Sequence, residues 1–250
     1  MTRVEPASDS LERLVPAGLD AGDATGNASL ELHLARYAFA ARQLQPERVL
    51  DIACGVGYGS QLLAQQHAGI SVLGVDVSEA AIGYARAHYS APNVEFRVSD
   101  ALAFEDRDGF DSIVSLETVE HVEAPGALLS HLSSLLRPGG VLVASVPTTP
   151  SVDLNPHHLH DFSERSFRRL VERNTRDLEE IGSFRQRQVV PLRAVLQRSE
   201  QRMADLRRGL VGYYARHPGA LLRRIGATLQ HGMSNHYATL AWRRLPGDAG

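Results

Sequence analysis

The chain has 250 residues, 43% hydrophobic and 22% charged, with 26 basic and 29 acidic side chains for a formal charge of −3. That is a globular composition, and the length suffices to bury a large core. One cysteine, Cys54, excludes an internal disulfide framework and a multi-cysteine zinc site, and no run nears the roughly 18 apolar residues of a membrane helix.

The opening MTRVEPASDS mixes acids with Pro and Ser and has no apolar segment, so no secretory signal is expected and the cytoplasm is the default location. Residues 1–28, rich in Ala, Gly, Asp and Ser, read as an adaptable N-terminal arm, with one domain over 29–250. From Ser29 apolar residues recur at helical spacing (Leu30, Leu34, Tyr37, Ala41) until Pro46. Strands and helices then alternate. Val49–Ala53 reads as a strand, and the turn Gly55-Val56-Gly57-Tyr58-Gly59 leads to a helix over 60–67. Ile70–Val75 is a second strand closed by Asp76. Ser78 caps a helix over 79–89. Strands follow at 94–98 and 110–116. A helix starts at Ala124-Pro125-Gly126 and stops at Pro138-Gly139-Gly140, and Val141–Val146 is a fifth strand.

Beyond it lie a polar loop, Asn155–Asp161, a helix capped by Ser163, and a strand within 182–190. An amphipathic helical stretch over 192–230 is broken at His217-Pro218-Gly219, and a last strand covers 236–242. Alternation of this kind builds a mostly parallel sheet covered on both faces, with its ligand beyond the carboxyl ends of the strands. The helical insert, about 191–235, supplies a surface for a substrate lid or a homodimer.

Charge is unevenly spread. Every basic residue is Arg; residues 1–184 carry −12 and residues 185–250 carry +9. A basic segment on an acidic body attracts anions, but these Arg residues are dispersed, and a solvated helix face accounts for them equally.

The glycine turn gains meaning from three acids, each where a strand meets the cleft: Asp51 in the first strand, Asp76 ending the second, Asp100 just after the third. Together with VLDIACGVGYGS (49–60), GVDVS (74–78), VSDA (98–101), FDSIVSLETVEHV (110–122) and LLRPGGVLVASVPT (135–148), the pattern resembles the class I S-adenosylmethionine-dependent methyltransferases over about residues 29–174. LELHLARYAFA (30–40) and NPHHLHDFS (155–163) resemble the branch encoded with glycan and natural-product pathways.

The resemblance implies a Rossmann-like, seven-stranded, mostly parallel α/β sheet with helices on both faces and a helical insert near the C-terminus. It implies S-adenosylmethionine as cofactor, with Gly55 and Gly57 beside its methionine end and Asp51 near the amino group. Asp76 would accept from the ribose hydroxyls and Val77 would pack on the adenine. Asp100 and the Ala101 N–H would meet the adenine edge, and Leu116 and Glu117 would line the cofactor. A nicotinamide enzyme would need Gly where Ser60 stands.

A hydroxyl acceptor must lose a proton, which calls for a general base or a metal. In Glu117-Thr118-Val119-Glu120-His121, positions 117, 120 and 121 would share one face if helical. The E-x-x-E-H string is similar to the metal segment of ubiquinone-pathway and small-RNA methyltransferases. By that likeness Glu117, Glu120, His121 and His158 would hold Mg²⁺ or Mn²⁺, with His158 heading HLHDF. Without a metal, His121 or His158 is the candidate base. Cys54 and Trp242 are expected in the core, and His157 and His160 at the surface or in packing.

The leading expectation is O-methylation of a hydroxyl on a saccharide or related small molecule. The alternatives are a 3′-terminal ribose 2′-O-methyltransferase of RNA, an amino-sugar N-methyltransferase, or a cofactor-binding protein without turnover. No RNA-binding module and no N-P-P-aromatic string is present, so nucleic acid is not the expected acceptor.

Overall fold

The computed structural model describes residue 16 and residues 24–45, 47–66, 69–153, 155, 157–175, 177–189 and 212–246. Helix α1 (Ala24–Gln43) starts five residues earlier than the apolar spacing suggests. There follow β1 (Arg48–Ile52), α2 (Tyr58–Ala64), β2 (Ser71–Asp76), α3 (Glu79–His88), β3 (Val94–Val98), β4 (Phe110–Leu116), α4 (Pro125–Leu135), β5 (Leu136–Pro147), α5 (Glu164–Asn174), β6 (Leu178–Val189), α6 (Pro218–His231) and β7 (Ser234–Arg244). A helical turn over 212–216 precedes α6. The first half of the expected 192–230 helix, through residue 211, lies outside the described residues. No described helix is long and apolar enough to cross a membrane.

The seven strands form one sheet in the order β3-β2-β1-β4-β5-β7-β6. The first five are parallel, and β7 runs antiparallel to both β5 and β6. Sequence order reverses between β1 and β4, so the crevice at their carboxyl ends is the switch point where such sheets take ligands. The glycine turn leaves β1 on one side of it and Glu117 leaves β4 on the other.

Both faces are apolar because alternate residues point to opposite sides. Val49 in β1 and Val141 and Val143 in β5 join the cluster under α1, α2 and α3. Leu50, Ile52, Leu142, Ala144 and Val146 join the cluster under α4 and α5. Phe167 and Trp242 are buried there edge to face, with ring centroids 5.6 Å apart, so Trp242 is a core residue, as its place in the last strand predicts.

Further boundaries differ from those expected, α2 among them, which runs Tyr58–Ala64 rather than over 60–67. Pro138-Gly139-Gly140 does not stop α4, which ends at Leu135; it lies inside β5, whose first residue pairs with Phe110 across a register shift. The sixth strand begins at Leu178 and the seventh at Ser234, both lengthened by an eleven-pair antiparallel ladder that tolerates polar residues at the edge. The 117–121 segment is a turn, not a helix. Its first residue, Glu117, has φ +50, and Pro125, four residues after His121, opens α4 at its N-terminus. The residue before a proline disfavours helical geometry, so no helix runs through to α4.

Candidate active site

The glycine turn is shaped by what stands beside each glycine. Gly55 (φ +57) and Gly57 (φ +89) take left-handed backbone geometry. A Cβ on Gly57 would come within 2.7 Å of Ala85 and Phe96, and one on Gly59 within 1.9 Å of the Tyr37 ring. A Cβ on Gly55 would meet nothing within 4 Å. Gly57 and Gly59 thus admit neighbouring side chains, while Gly55 faces open space above the sheet.

The acids fix that turn. Asp76, buried at the end of β2, accepts from the Gly55 N–H and from the Ser78 N–H, each at 2.9 Å. Beside it Val77 is 65% exposed, a bare apolar side chain at the mouth of the crevice. Asp51 is buried inside β1 and accepts from Ser60 Oγ at 2.6 Å and from the Tyr37 hydroxyl at 3.3 Å. Burial pushes its carboxyl up to about 7, although the hydrogen bonds from Ser60 and Tyr37 oppose the rise and Asp76 adds to it. Asp100 is exposed and caps its own turn, accepting from Leu102 N–H at 2.8 Å and Ala103 N–H at 3.2 Å. Ala101 sits half-buried at the start of that turn.

Across the crevice, Arg36 projects from α1 and is fully buried. Its Nη1 lies 2.9 Å from Glu117 Oε1, and its guanidinium stacks 4.6 Å from the Tyr237 ring centroid. Ser145, at the end of β5, donates to Glu117 Oε1 at 2.8 Å and accepts from the Glu117 N–H at 3.0 Å. This pins a residue whose backbone is otherwise strained. One helical turn before Arg36, His33 has its imidazole pushed down to about 4, by burial first and by Arg36 second, with Glu117 opposing. Leu116 closes β4 as part of the buried core.

A second group forms past Glu117. Ligand atoms of Glu120, His121 and His158 all lie within 4.8 Å of one another. Glu120 is fully buried, and the two imidazoles stand edge to face, 4.7 Å between centroids. His121 Nδ1 is 3.0 Å from the His157 carbonyl, which can only accept, so Nδ1 carries a proton and Nε2 is the nitrogen turned toward Glu120, 4.0 Å from its Oε1. His158 Nδ1 is 2.7 Å from Ser151 Oγ. The loop is held by its backbone: Leu159 and His160 both donate to the Glu120 carbonyl, and His160 Nε2 meets the Val122 carbonyl at 3.0 Å. His157 contributes its carbonyl and His160 a ring nitrogen that meets a backbone carbonyl.

These side chains suit a borderline divalent cation such as Mn²⁺ better than the hard Mg²⁺, because two of the three donors are imidazole nitrogens. One carboxylate and two imidazoles oriented by second partners form a borderline donor set, and ligands at about 2.1 Å from an ion stand at most about 4.2 Å apart, a few tenths tighter than found. Glu117 is directed instead to Arg36 and Ser145 and is not among the three. The crevice also fits a nucleoside: a glycine whose missing Cβ leaves open space, a buried carboxylate beside it, and an exposed valine next in sequence.

The contacts of Arg36, Ser60, Ser145 and Ser151 are not legible from the sequence. Arg36 carried one signal, a charge at an apolar helix position; the three serines carried none, because their roles depend on contacts between distant strands and loops.

Residues 24–195 match the family model described as "Methyltransferase domain". The chain is 33% identical over 138 residues to a ubiquinone biosynthesis O-methyltransferase of Pseudomonas fluorescens (strain Pf0-1), an alignment covering 48% of this chain and 59% of that protein. It is 30% identical over 181 residues to a probable S-adenosylmethionine-dependent methyltransferase of Mycolicibacterium smegmatis, covering 69% and 67%. Among solved structures, a putative methyltransferase from Bacillus halodurans C-125 superposes with a TM-score of 0.66 at 16% identity, covering 85% of this chain and 98% of that one. This likeness is one of fold.

Proposed function

This chain belongs to the class I S-adenosylmethionine-dependent methyltransferases, and from that premise we propose that it methylates a hydroxyl oxygen of a small molecule bearing neighbouring hydroxyls, a saccharide first among them, with a divalent cation's help. The observation that carries the reading is the convergence of Glu120, His121 and His158 within 4.8 Å of one another. The family's curated relatives include proteins named as O-methyltransferases, which supports oxygen over nitrogen as the acceptor atom.

When bound, the cofactor supplies a sulfonium methyl group for in-line displacement. The chain's own residues bind and aim. Asp76 accepts from the ribose hydroxyls while keeping the Gly55 N–H in place. Val77 covers the adenine, and Asp100 with the Ala101 N–H meets its edge. Gly55 lets the backbone approach the methionine end, Gly57 lets the turn close over Phe96, and Leu116 lines the cofactor. Arg36, paired with Glu117, would offer a cation to the methionine carboxylate, and Asp51 would offer a carboxylate near its ammonium. Such a cradle fixes the methyl donor before the acceptor arrives and so removes entropy from the barrier.

On the acceptor side, Glu120, His121 and His158 would hold Mg²⁺ or Mn²⁺, which acidifies a coordinated hydroxyl. The His157 carbonyl and Ser151 keep the two imidazoles turned toward Glu120. The test is methylation of a panel of sugars and catechols with and without chelator, with products mapped by mass spectrometry. The proposal requires O-methyl products that vanish with the metal and return with Mn²⁺. O-methylation that persists in chelator moves the work to His121 or His158 as base, and N-methyl products overturn it.

A further inference from the structure

The loop between β5 and α5 carries a carboxylate that the site described so far does not use. The Asp153 side chain is 4% exposed. Arg224 of α6 donates to both of its oxygens, Nε to Oδ2 at 2.8 Å and Nη2 to Oδ1. Tyr214, in the helical turn over 212–216, donates to Oδ2 at 2.5 Å. Three donors from the C-terminal helical segment therefore meet on one side chain of the histidine loop. Burial works against the charge on Asp153, but the hydrogen bonds from Arg224 and Tyr214 outweigh it and hold the carboxyl below its ordinary range. A two-pronged guanidinium contact of this kind fixes orientation as well as distance.

The backbone around Asp153 leads to His158. Ser151, two residues earlier, places its Oγ 2.7 Å from His158 Nδ1. The Ser151 and Val152 N–H groups both donate to Asp161 Oδ1, at 2.7 and 3.1 Å. Asn155 N–H donates to the Ser151 carbonyl and His158 N–H to the Asn155 carbonyl. Asp153 thus sits inside a hydrogen-bonded turn whose two ends orient one imidazole.

We infer that Asp153 is a positioning residue: Tyr214 and Arg224 latch the C-terminal helical segment onto the histidine loop through it, so that this segment and the His158 ring are held as one unit. The inference rests on the proposed role of His158. It assigns the C-terminal helical segment a part in the site, because Tyr214 and Arg224 hold the side chain that sits between Ser151 and Asn155 of the loop that orients His158.

The test uses the full chain and three readouts on Asp153→Asn. Without added ligand, hydrogen exchange should rise about tenfold or more in both 151–161 and 218–231, but not in 51–64. At fixed pH, the imidazole ¹⁵N shifts of His158 should change while those of His88 do not. Mn²⁺ affinity should fall about tenfold, the usual loss when a partner behind a ligand is removed, and adding Arg224→Gln should cause little further loss, because one latch is already open. Faster exchange confined to 218–231, with His158 shifts unchanged, overturns the latch. So do additive losses from the two substitutions. If Asp153→Asn does not fold, Tyr214→Phe, which removes only a hydroxyl, is judged by the same readouts. Failure of the parent protein to bind Mn²⁺ overturns the metal proposal instead and leaves the latch decided by exchange and the His158 spectrum.

Discussion

Arg36 Nη1 and Glu117 Oε1 stand 2.9 Å apart across the crevice between the first helix and the end of β4, an ion pair with the arginine fully buried. Neither residue is held by the pair alone: Tyr237 stacks on the guanidinium and Ser145 grips the carboxylate. The pair sets a buried guanidinium near Tyr58 of the glycine turn, where, on the proposed reading, an amino-acid carboxylate would be received. Arg36→Ala should leave the half-buried Glu117 without its cation and lower affinity for S-adenosylhomocysteine by roughly ten- to a hundredfold, the range for losing one charged hydrogen bond. Arg36→Lys, which keeps charge but not the fork, should recover part of it. Calorimetric titration of both variants checks this.

Asp76→Ala should weaken the same ligand by about ten- to a hundredfold, since a charge-assisted acceptor for two hydroxyls is lost together with the anchor of the Gly55 and Ser78 N–H groups. Thermal unfolding without ligand should change far less than binding. Unaltered affinity would mean that the crevice is not the nucleoside site.

The glycines separate packing from ligand approach. Gly59→Ala forces a methyl into the Tyr37 ring and should be strongly destabilising. Gly55→Ala has room for its methyl and costs about 1–2 kcal/mol of backbone strain, yet should depress cofactor affinity because the methyl occupies the ligand's side. Melting temperatures with and without S-adenosylhomocysteine distinguish the two.

Asp51 gives a pH dependence of unusual sign. Its folded carboxyl titrates at about 7, above its value of about 4 in the unfolded chain. Between these pH values the folded state binds more protons than the unfolded one, so this residue's contribution to stability is full below about 4 and declines as pH rises to about 7. Asp51→Asn should flatten the fall in melting temperature over that window. An identical slope in parent and variant would show that Asp51 is not the group responsible.

The sheet, its helical faces and the acids at the strand ends were legible in the sequence because they rest on local period and punctuation: Val49-Leu50-Asp51-Ile52 before glycines, Asp76 before a capping Ser78. What was not legible depends on long-range contact. Glu117-Thr118-Val119-Glu120-His121 has helical spacing, but Pro125 and the left-handed Glu117 turn it into a bend, which sends Glu117 to Arg36 and leaves Glu120 and His121 facing His158. Asp153 looked like any loop acid; its burial is set by Tyr214 and Arg224, some sixty and seventy residues later in the chain.

Glu120→Gln should lower methyl transfer by about a hundredfold or more if Glu120 is a metal ligand, because the loss of even an outer-shell partner costs 10–100-fold, while S-adenosylhomocysteine affinity stays near that of the parent. Equal activity of variant and parent would remove Glu120 from the chemistry.

The most direct measurement is a crystal of the full chain grown with S-adenosylhomocysteine and Mn²⁺, with anomalous data collected at the manganese edge. The account predicts a single strong peak bounded by Glu120, His121 and His158, with the nucleoside lying over Gly55 and its ribose on Asp76. A nucleoside in place with no peak among those three side chains, despite Mn²⁺ in excess, would contradict it.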